Sequence, residues 1–286
     1  MSTTQPIVLD ARPAELRTPY DPAVPTYRLT LEYDGSRYRG WQEQKNANTV
    51  AGELRRAIEP VFGERIELAG SGRTDAGVHA LAQVAHVKSA QPVDPAAILE
   101  AANERLPADI HLLDAVLAGD RFHARHSATA RSYVYQVSRR RTAFAKRFVW
   151  WVNQPLDVTR MNAAARTLVG KKDFAAFCEK PEEQSSTLVV VERAEIVEDG
   201  ALILVRLVAS HFLWRMVRRV VGTLVRVGTG ELSGAQFALL LAAGDATLAG
   251  PDPARFTAPP SGLFLERVLY PGEKPLGVLV APVPVR

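Results

Sequence analysis

With 286 residues, 47% hydrophobic and 23% charged, the chain has enough apolar material for two packed domains or one large domain of two similar halves, and it is neither disordered nor fibrous. The single cysteine, Cys178, excludes an internal disulfide, no apolar run is long enough to cross a bilayer, and the opening MSTTQPIVLDARP lacks the basic start and apolar core of a secretion signal. A cytoplasmic location is therefore expected, and a net charge of +4 is by itself only a weak pointer to an anionic partner.

In chain order, residues 1–25 hold Pro6, Pro13, Pro19, Pro22 and Pro25 and no apolar period, the pattern of a flexible tail. Tyr27, Leu29, Leu31 and Tyr33 alternate with Arg28, Thr30 and Glu32, which predicts a half-buried strand ending at the turn Asp34-Gly35. Thr49 is placed to cap a helix whose inner face carries Leu54, Ala57, Ile58 and Val61. Strands are expected near 66–69 and 82–88, on either side of a loop that begins at Gly70. Asp94-Pro95 reads as the N-cap and first position of a helix that stops before Pro107, with strands near 110–116 and 131–138 behind it.

The second half repeats this grammar. Asp157 precedes a helix with Met161, Ala164, Ala165 and Leu168 inward, and Asp199-Gly200 joins the β-rich runs 187–198 and 201–209 as a hairpin. Helices near 212–227 and 235–243 and a strand near 262–269 follow. Hairpin-length links cannot join parallel strands, so the fold class is α+β, with two similar halves, 26–138 and 139–271, forming a mainly antiparallel sheet around a cleft. Residues 272–286 read as a C-terminal tail.

Charge is segregated within the chain. Residues 121–147 carry Arg121, Arg125, Arg131, Arg139, Arg140, Arg141, Lys146 and Arg147 without one Asp or Glu, and a second acid-free stretch, 201–230, carries Arg206, Arg215, Arg218, Arg219 and Arg226. Phe144, Phe148, Trp150 and Trp151 are interleaved with the first cluster, and rings beside arginines offer stacking surfaces for unpaired bases. RNA is the partner this pattern nominates. A solvated cationic surface with the tryptophans in the core fits charge alone equally well.

The segment from Gly70 to Ala80, GSGRTDAGVHA, places a cation, a hydroxyl and an anion within three residues of a glycine-flanked bend. It matches neither a dinucleotide loop nor a P-loop. From residue types alone it reads either as a functional loop or as a tight turn with an Arg73 to Asp75 surface pair.

The run GRTDAGVHA resembles the signature of the TruA family of tRNA pseudouridine synthases. YDGSRYRGWQ, FHARHSATARSYVY, GKKDFAAF, FLWRMVRRVVG and PPSGLFLERV resemble further motifs of that family, in its order, from about Tyr27 to Tyr270. Ala51 and His126 depart from it, standing where members commonly carry glutamine and an aromatic residue. The resemblance implies the pseudouridine synthase fold, with helices on one side of a mixed sheet and a central active-site cleft. It also implies a homodimer acting on tRNA without a cofactor, metal or membrane, isomerising uridine at positions 38, 39 and 40 of the anticodon stem-loop.

Carried onto this sequence, Asp75 is the catalytic aspartate, acting as nucleophile at C1′ or as base toward a sugar proton. Either route needs an anion, which an aspartate with its ordinary pKa of about 3.9 supplies at neutral pH. The resemblance makes Arg218 its partner, sets the ring of Tyr133 against the target base, uses Arg73 where the target nucleotide is extruded, and packs Leu263 on the uracil. Flipping is required because C1′ and C5 of a stacked uridine cannot both be reached. Read from the residues alone, Tyr133 and Leu263 are ordinary core positions and Arg218 a snorkelling arginine on the border of a helix whose opposite face holds Arg215, Arg219 and Arg226.

Other chemistries lack support. His123 and His126 are three apart, but there is no cysteine pair to complete a zinc site. A G-x-S-x-G elbow is missing, and no motif nominates the second carboxylate of a glycosidase. Two alternatives stay open: a non-catalytic RNA-binding protein with a basic face, and a nucleoside-cleaving hydrolase that releases free base.

Overall fold

The computed structural model describes residues 24–179, 186–242 and 251–285, so nearly all of the predicted N-terminal tail lies outside the described residues. The first half contains β1 (Thr26–Tyr33), α1 (Val50–Phe62), β2 (Glu67–Gly70), β3 (His79–Lys88), α2 (Pro95–Arg105), β4 (Ile110–Ala118) and β5 (Ala130–Ser138). Then come β6 (Trp150–Trp151), α3 (Val158–Arg166), β7 (Gly170–Asp173), β8 (Leu188–Asp199), β9 (Leu202–Ala209), α4 (Met216–Thr229), α5 (Gly234–Ala242) and β10 (Leu263–Leu269).

Three helix starts carry side-chain caps, and two of these, Thr49 and Asp94, are the ones that the sequence predicts. Thr49, Asp94 and Asp157 each accept a hydrogen bond from a backbone N–H of the first turn, which satisfies a donor that has no partner inside the helix. The ten strands form one sheet in the order β4-β1-β3-β10-β5-β9-β8-β7, with β2 beside β3 and β6 beside β5. It is mostly antiparallel. The exceptions are β10 against β3 and β6 against β5.

The last strand thus fills the middle of the sheet. β10 lies between β3 of the first half and β5, and β5 hydrogen-bonds on its other side to β9. Alternation along the strands divides the interior into two layers. Tyr27, Leu29 and Leu31 of β1, Tyr133, Tyr135 and Val137 of β5, and Ile203, Val205 and Leu207 of β9 face the larger core, to which all five described helices contribute. On the opposite face Val134, Leu202 and Leu204 pack with Ala145, Val149, Leu279 and Val285. The segment that reads as a C-terminal tail therefore covers part of the second face.

Arg206 fastens that segment. Only 2% exposed, it donates to both carboxylate oxygens of Glu266 (2.6 and 2.9 Å), to Glu195 (3.1 Å) and to the carbonyl of Gly277 (3.0 Å). The carboxylates compensate a cation that would otherwise be very costly to bury.

Three local expectations need correction. The helix expected from 212 begins at Met216, because Arg215 adopts a left-handed backbone (φ 61°) that an α-helix cannot continue through. Arg219, expected on an exposed polar face, is buried: α4 is covered almost all round, and the Arg219 guanidinium donates to the Cys178 carbonyl. The short strands β6 and β7 were not expected, since two and four residues are too few to show a period.

Candidate active site

The bend between β2 and β3 is set by its neighbours. The segment after β1 runs alongside it: the Trp41 N–H donates to the Thr74 carbonyl (3.1 Å), the Gly77 N–H to the Tyr38 carbonyl (3.3 Å), and Tyr33 and Thr74 share a hydroxyl hydrogen bond of 2.8 Å. Gly40 is required here. It has φ 94°, and a Cβ would stand 2.5 Å from the Thr74 carbonyl oxygen, too close for any side chain. YDGSRYRGWQ is thus the scaffold that fixes the residue preceding Asp75.

From the opposite half, α4 delivers Arg218. Its Nη1 stands 3.3 Å from Asp75 Oδ2, while its Nε donates to the Ala258 carbonyl at 2.7 Å. Both side chains are partly exposed, so the carboxylate is compensated by the guanidinium and still open to solvent. Tyr133, 9% exposed, packs edge-on against Phe212 with ring centres 4.9 Å apart. Burial, together with the neighbouring Tyr33 and Asp75, pushes the Tyr133 phenol well above its ordinary pKa, and burial pushes Tyr33 up to about 12. Both are neutral donors at working pH. The Tyr133 hydroxyl has no hydrogen-bond partner among the described residues, which leaves it available to a ligand.

Arg73 is exposed on the same loop, two residues before Asp75, and has no ion-pair or hydrogen-bond partner among the described residues. Leu263 is buried at the start of β10 opposite Tyr135, as a core position would be. The turn before it reaches the loop that carries Asp75, since Gly77 lies against the Pro260 ring. Asp75 and Arg218 therefore meet directly, Tyr133 lies near enough to feel the Asp75 charge, Arg73 flanks Asp75 on the loop, and Leu263 is buried in β10 two residues from Leu265, the partner of Tyr133.

Two residues of this site gave no separate signal in the sequence. His79, the first residue of β3, accepts a hydrogen bond from the Gly35 N–H at Nδ1 (3.1 Å) and faces the carbonyls of Arg147 (3.0 Å) and Ser261 (3.2 Å) with Nε2. Burial lowers its pKa and outweighs the pull of Asp34, whose Oδ1 is 3.2 Å from Nδ1. A neutral ring protonated at Nε2 thus ties three segments to the end of the catalytic loop. Arg131, counted in the basic cluster, is instead 9% exposed and donates to the carbonyls of Ser71 (3.0 Å), Arg125 (2.6 Å) and Ser210 (3.0 Å). It has no carboxylate partner among the described residues, and it joins the catalytic loop to the segment that carries Phe212.

The rest of the cluster also divides. Arg139 pairs with Glu198, and Arg147 approaches Asp34 at 3.5 Å. Trp150 packs edge-on to Tyr135, and Phe148 lies against His79 and Phe264. Among the described residues no three His, Cys, Asp or Glu side chains converge to hold a metal ion, and no helix is long and apolar enough to cross a membrane.

A ten-stranded mixed sheet whose two halves bring an aspartate on a glycine-flanked loop against an arginine is the arrangement that sequence comparison then assigns to a class. The tRNA pseudouridine synthase family model matches residues 30–127 and 164–271, and the chain belongs to that family. It is 41% identical over 253 residues to tRNA pseudouridine synthase A of Mesorhizobium japonicum, covering 87% of this chain and all of that protein. Identity to the protein of that name from Rhodopseudomonas palustris is 41% over 250 residues, 86% of this chain and all of the relative. The Thermoanaerobacter protein of the same name is 38% identical over 244 residues, 85% of this chain and 98% of its own length.

Proposed function

We propose that this enzyme converts uridine to pseudouridine at positions 38, 39 and 40 of the tRNA anticodon stem-loop, with Asp75 as the reacting carboxylate. The observation that carries the reading is the Asp75–Arg218 pair, which presents one compensated anion to the cleft beside a free tyrosine hydroxyl. The reaction breaks the bond from C1′ to N1 of uracil, rotates the base, joins C1′ to C5, and balances loss of the C5 proton by protonation of N1, so no atom is gained or lost. Asp75 serves it either by attacking C1′ or by taking a sugar proton that is later returned. The neutral Tyr133 supports the released base by ring contact and hydroxyl donation, and Arg73 stands where the extruded nucleotide leaves its stack.

Homodimer formation and a cytoplasmic location belong to the same proposal, supported by the family likeness. The test is incubation of the purified chain with unmodified tRNA, without added cofactor, followed by site-resolved mapping of pseudouridine. Product at 38–40 is expected. Binding without product favours a non-catalytic RNA-binding role, and free uracil favours a nucleoside hydrolase.

A further inference from the structure

We infer that the basic loop after β5 is a second nucleotide seat, in which an unpaired base outside the reaction centre stacks on Phe144 while its phosphate rests at Lys146. This rests on the tRNA reading above and adds to it a particular contact on the RNA strand.

Phe144 is 98% exposed, whereas the other aromatics of the cluster, Phe148, Trp150 and Trp151, all touch protein. Lone exposed rings are common on protein surfaces, and what singles this one out is the basic residues around it. The loop is also firmly held. Ala145 is buried in the second-face core beside Val149 and Leu204, its N–H donates to the Thr142 hydroxyl (3.2 Å), and its carbonyl accepts from the Phe148 N–H (2.8 Å). The ring therefore projects from an anchored turn, and little ordering entropy is lost when something stacks on it.

Charge selects the counterpart. Residues 121–156 contain no Asp or Glu, and Arg140, Arg141, Lys146 and Arg147 lie within four positions of Phe144. Arg147 is engaged by Asp34, whereas Lys146 has no carboxylate partner among the described residues. Lys146 and Arg147 also line a groove of about 340 Å³ together with Ser36, Gly77, Pro260 and Ser261. Gly77 is two residues from Asp75, so the groove leads from the catalytic loop to the loop that bears Phe144. Phe144 and Lys146 are two positions apart on the same turn, which keeps their Cα atoms within about 7 Å of each other. A flat apolar face on the same turn as an uncompensated cation, which itself lines a groove reaching Gly77, matches a base with its phosphate.

The experiment compares tRNA binding by the full-length wild type, F144A, F144W and K146Q across a salt series. Nothing packs on Phe144, so F144A is expected to fold normally, to bind tRNA about tenfold more weakly and to keep the wild-type salt slope. K146Q is expected to flatten the slope by about 0.7–0.9, the loss of one phosphate contact. F144W should bind within twofold of wild type and show tryptophan quenching on tRNA addition beyond that of wild type.

A wild type that binds and modifies tRNA while F144A binds equally well overturns this inference alone. A wild type that does not bind tRNA overturns both readings. Polyglutamate that binds the wild type as tightly as tRNA, and loses affinity in F144A, would overturn it in favour of an acidic protein partner.

Discussion

Arg218 reaches Asp75 at 3.3 Å from across the cleft while the same guanidinium donates to the Ala258 carbonyl at 2.7 Å, and the Ala258 N–H donates back to the Arg218 carbonyl at 3.0 Å. A planar fork with one branch fixed to backbone can hold the other in place. A lysine ammonium, a point charge on a flexible stem, cannot do both.

Arg218→Lys should therefore lower the single-turnover rate of pseudouridine formation by about a hundredfold, comparable with loss of one preorganised donor, while tRNA affinity changes little. Asp75→Asn should abolish turnover with affinity within a few-fold of wild type. Parallel loss of affinity and turnover in Asp75→Asn would assign the carboxylate a structural task instead.

Arg131→Met removes the donor from one buried carbonyl, that of Ser71, and two part-buried ones, those of Ser210 and Arg125, and an unsatisfied buried acceptor costs about 1–3 kcal/mol. Denaturant unfolding should show a loss of at least about 2 kcal/mol. In Arg131→Lys, which keeps the charge but cannot span three acceptors, stability should recover more than the single-turnover rate, because the catalytic loop stays loosely tied. Equal recovery of both would remove Arg131 from loop positioning.

Arg206→Met strands Glu266 in the sheet beneath the C-terminal segment and should cost about 3–5 kcal/mol. Replacing the carboxylates as well, Arg206→Met with Glu195→Gln and Glu266→Gln, should restore much of that loss. Protease sensitivity near Gly277 is expected to rise in the single variant and to fall back in the triple one. Absence of any rise would mean that the apolar contacts of Leu279 and Val285 suffice to hold the segment.

Acid should destabilise the fold before the carboxylates titrate. Burial holds His79 below its ordinary 6.5 and lowers His86 to about 4, so each prefers to be neutral when folded. Below pH 6.5 the unfolded chain takes up protons that the folded chain refuses. Stability due to these groups is thus complete above pH 6.5 and declines toward pH 4, by at most about 1.4 kcal/mol per pH unit for each proton. Melting temperature measured from pH 7.5 to 4.5 should follow this trend, with a shallower slope in His86→Asn. An identical slope in that variant would exclude His86 as a contributor.

The parts of the molecule legible in its sequence are those written in short-range patterns. The alternation of Tyr27 to Tyr33, the caps Thr49 and Asp94, and the Asp199-Gly200 turn are local and recur in the structure. The catalytic loop was conspicuous through its glycines, but a pair separated by 143 positions, Asp75 and Arg218, leaves no periodic trace and was nominated only by resemblance. Burial of Arg131 and Arg219 was illegible because the acceptors are backbone carbonyls, which any residue supplies. For the same reason YDGSRYRGWQ read as a turn after a strand rather than as the cradle of Thr74.

Strand β10 sits between β3 and β5 although it is the last strand made. While a ribosome is still building residues 263–269, the stretches of β3 and β5 that β10 will pair stay open, and β5 cannot be bridged to β3. Closure of the sheet beside the Asp75 loop is thus deferred to the final moments of translation, so a nascent chain short of β10 offers open strand edges to chaperones or to other chains before it can modify RNA.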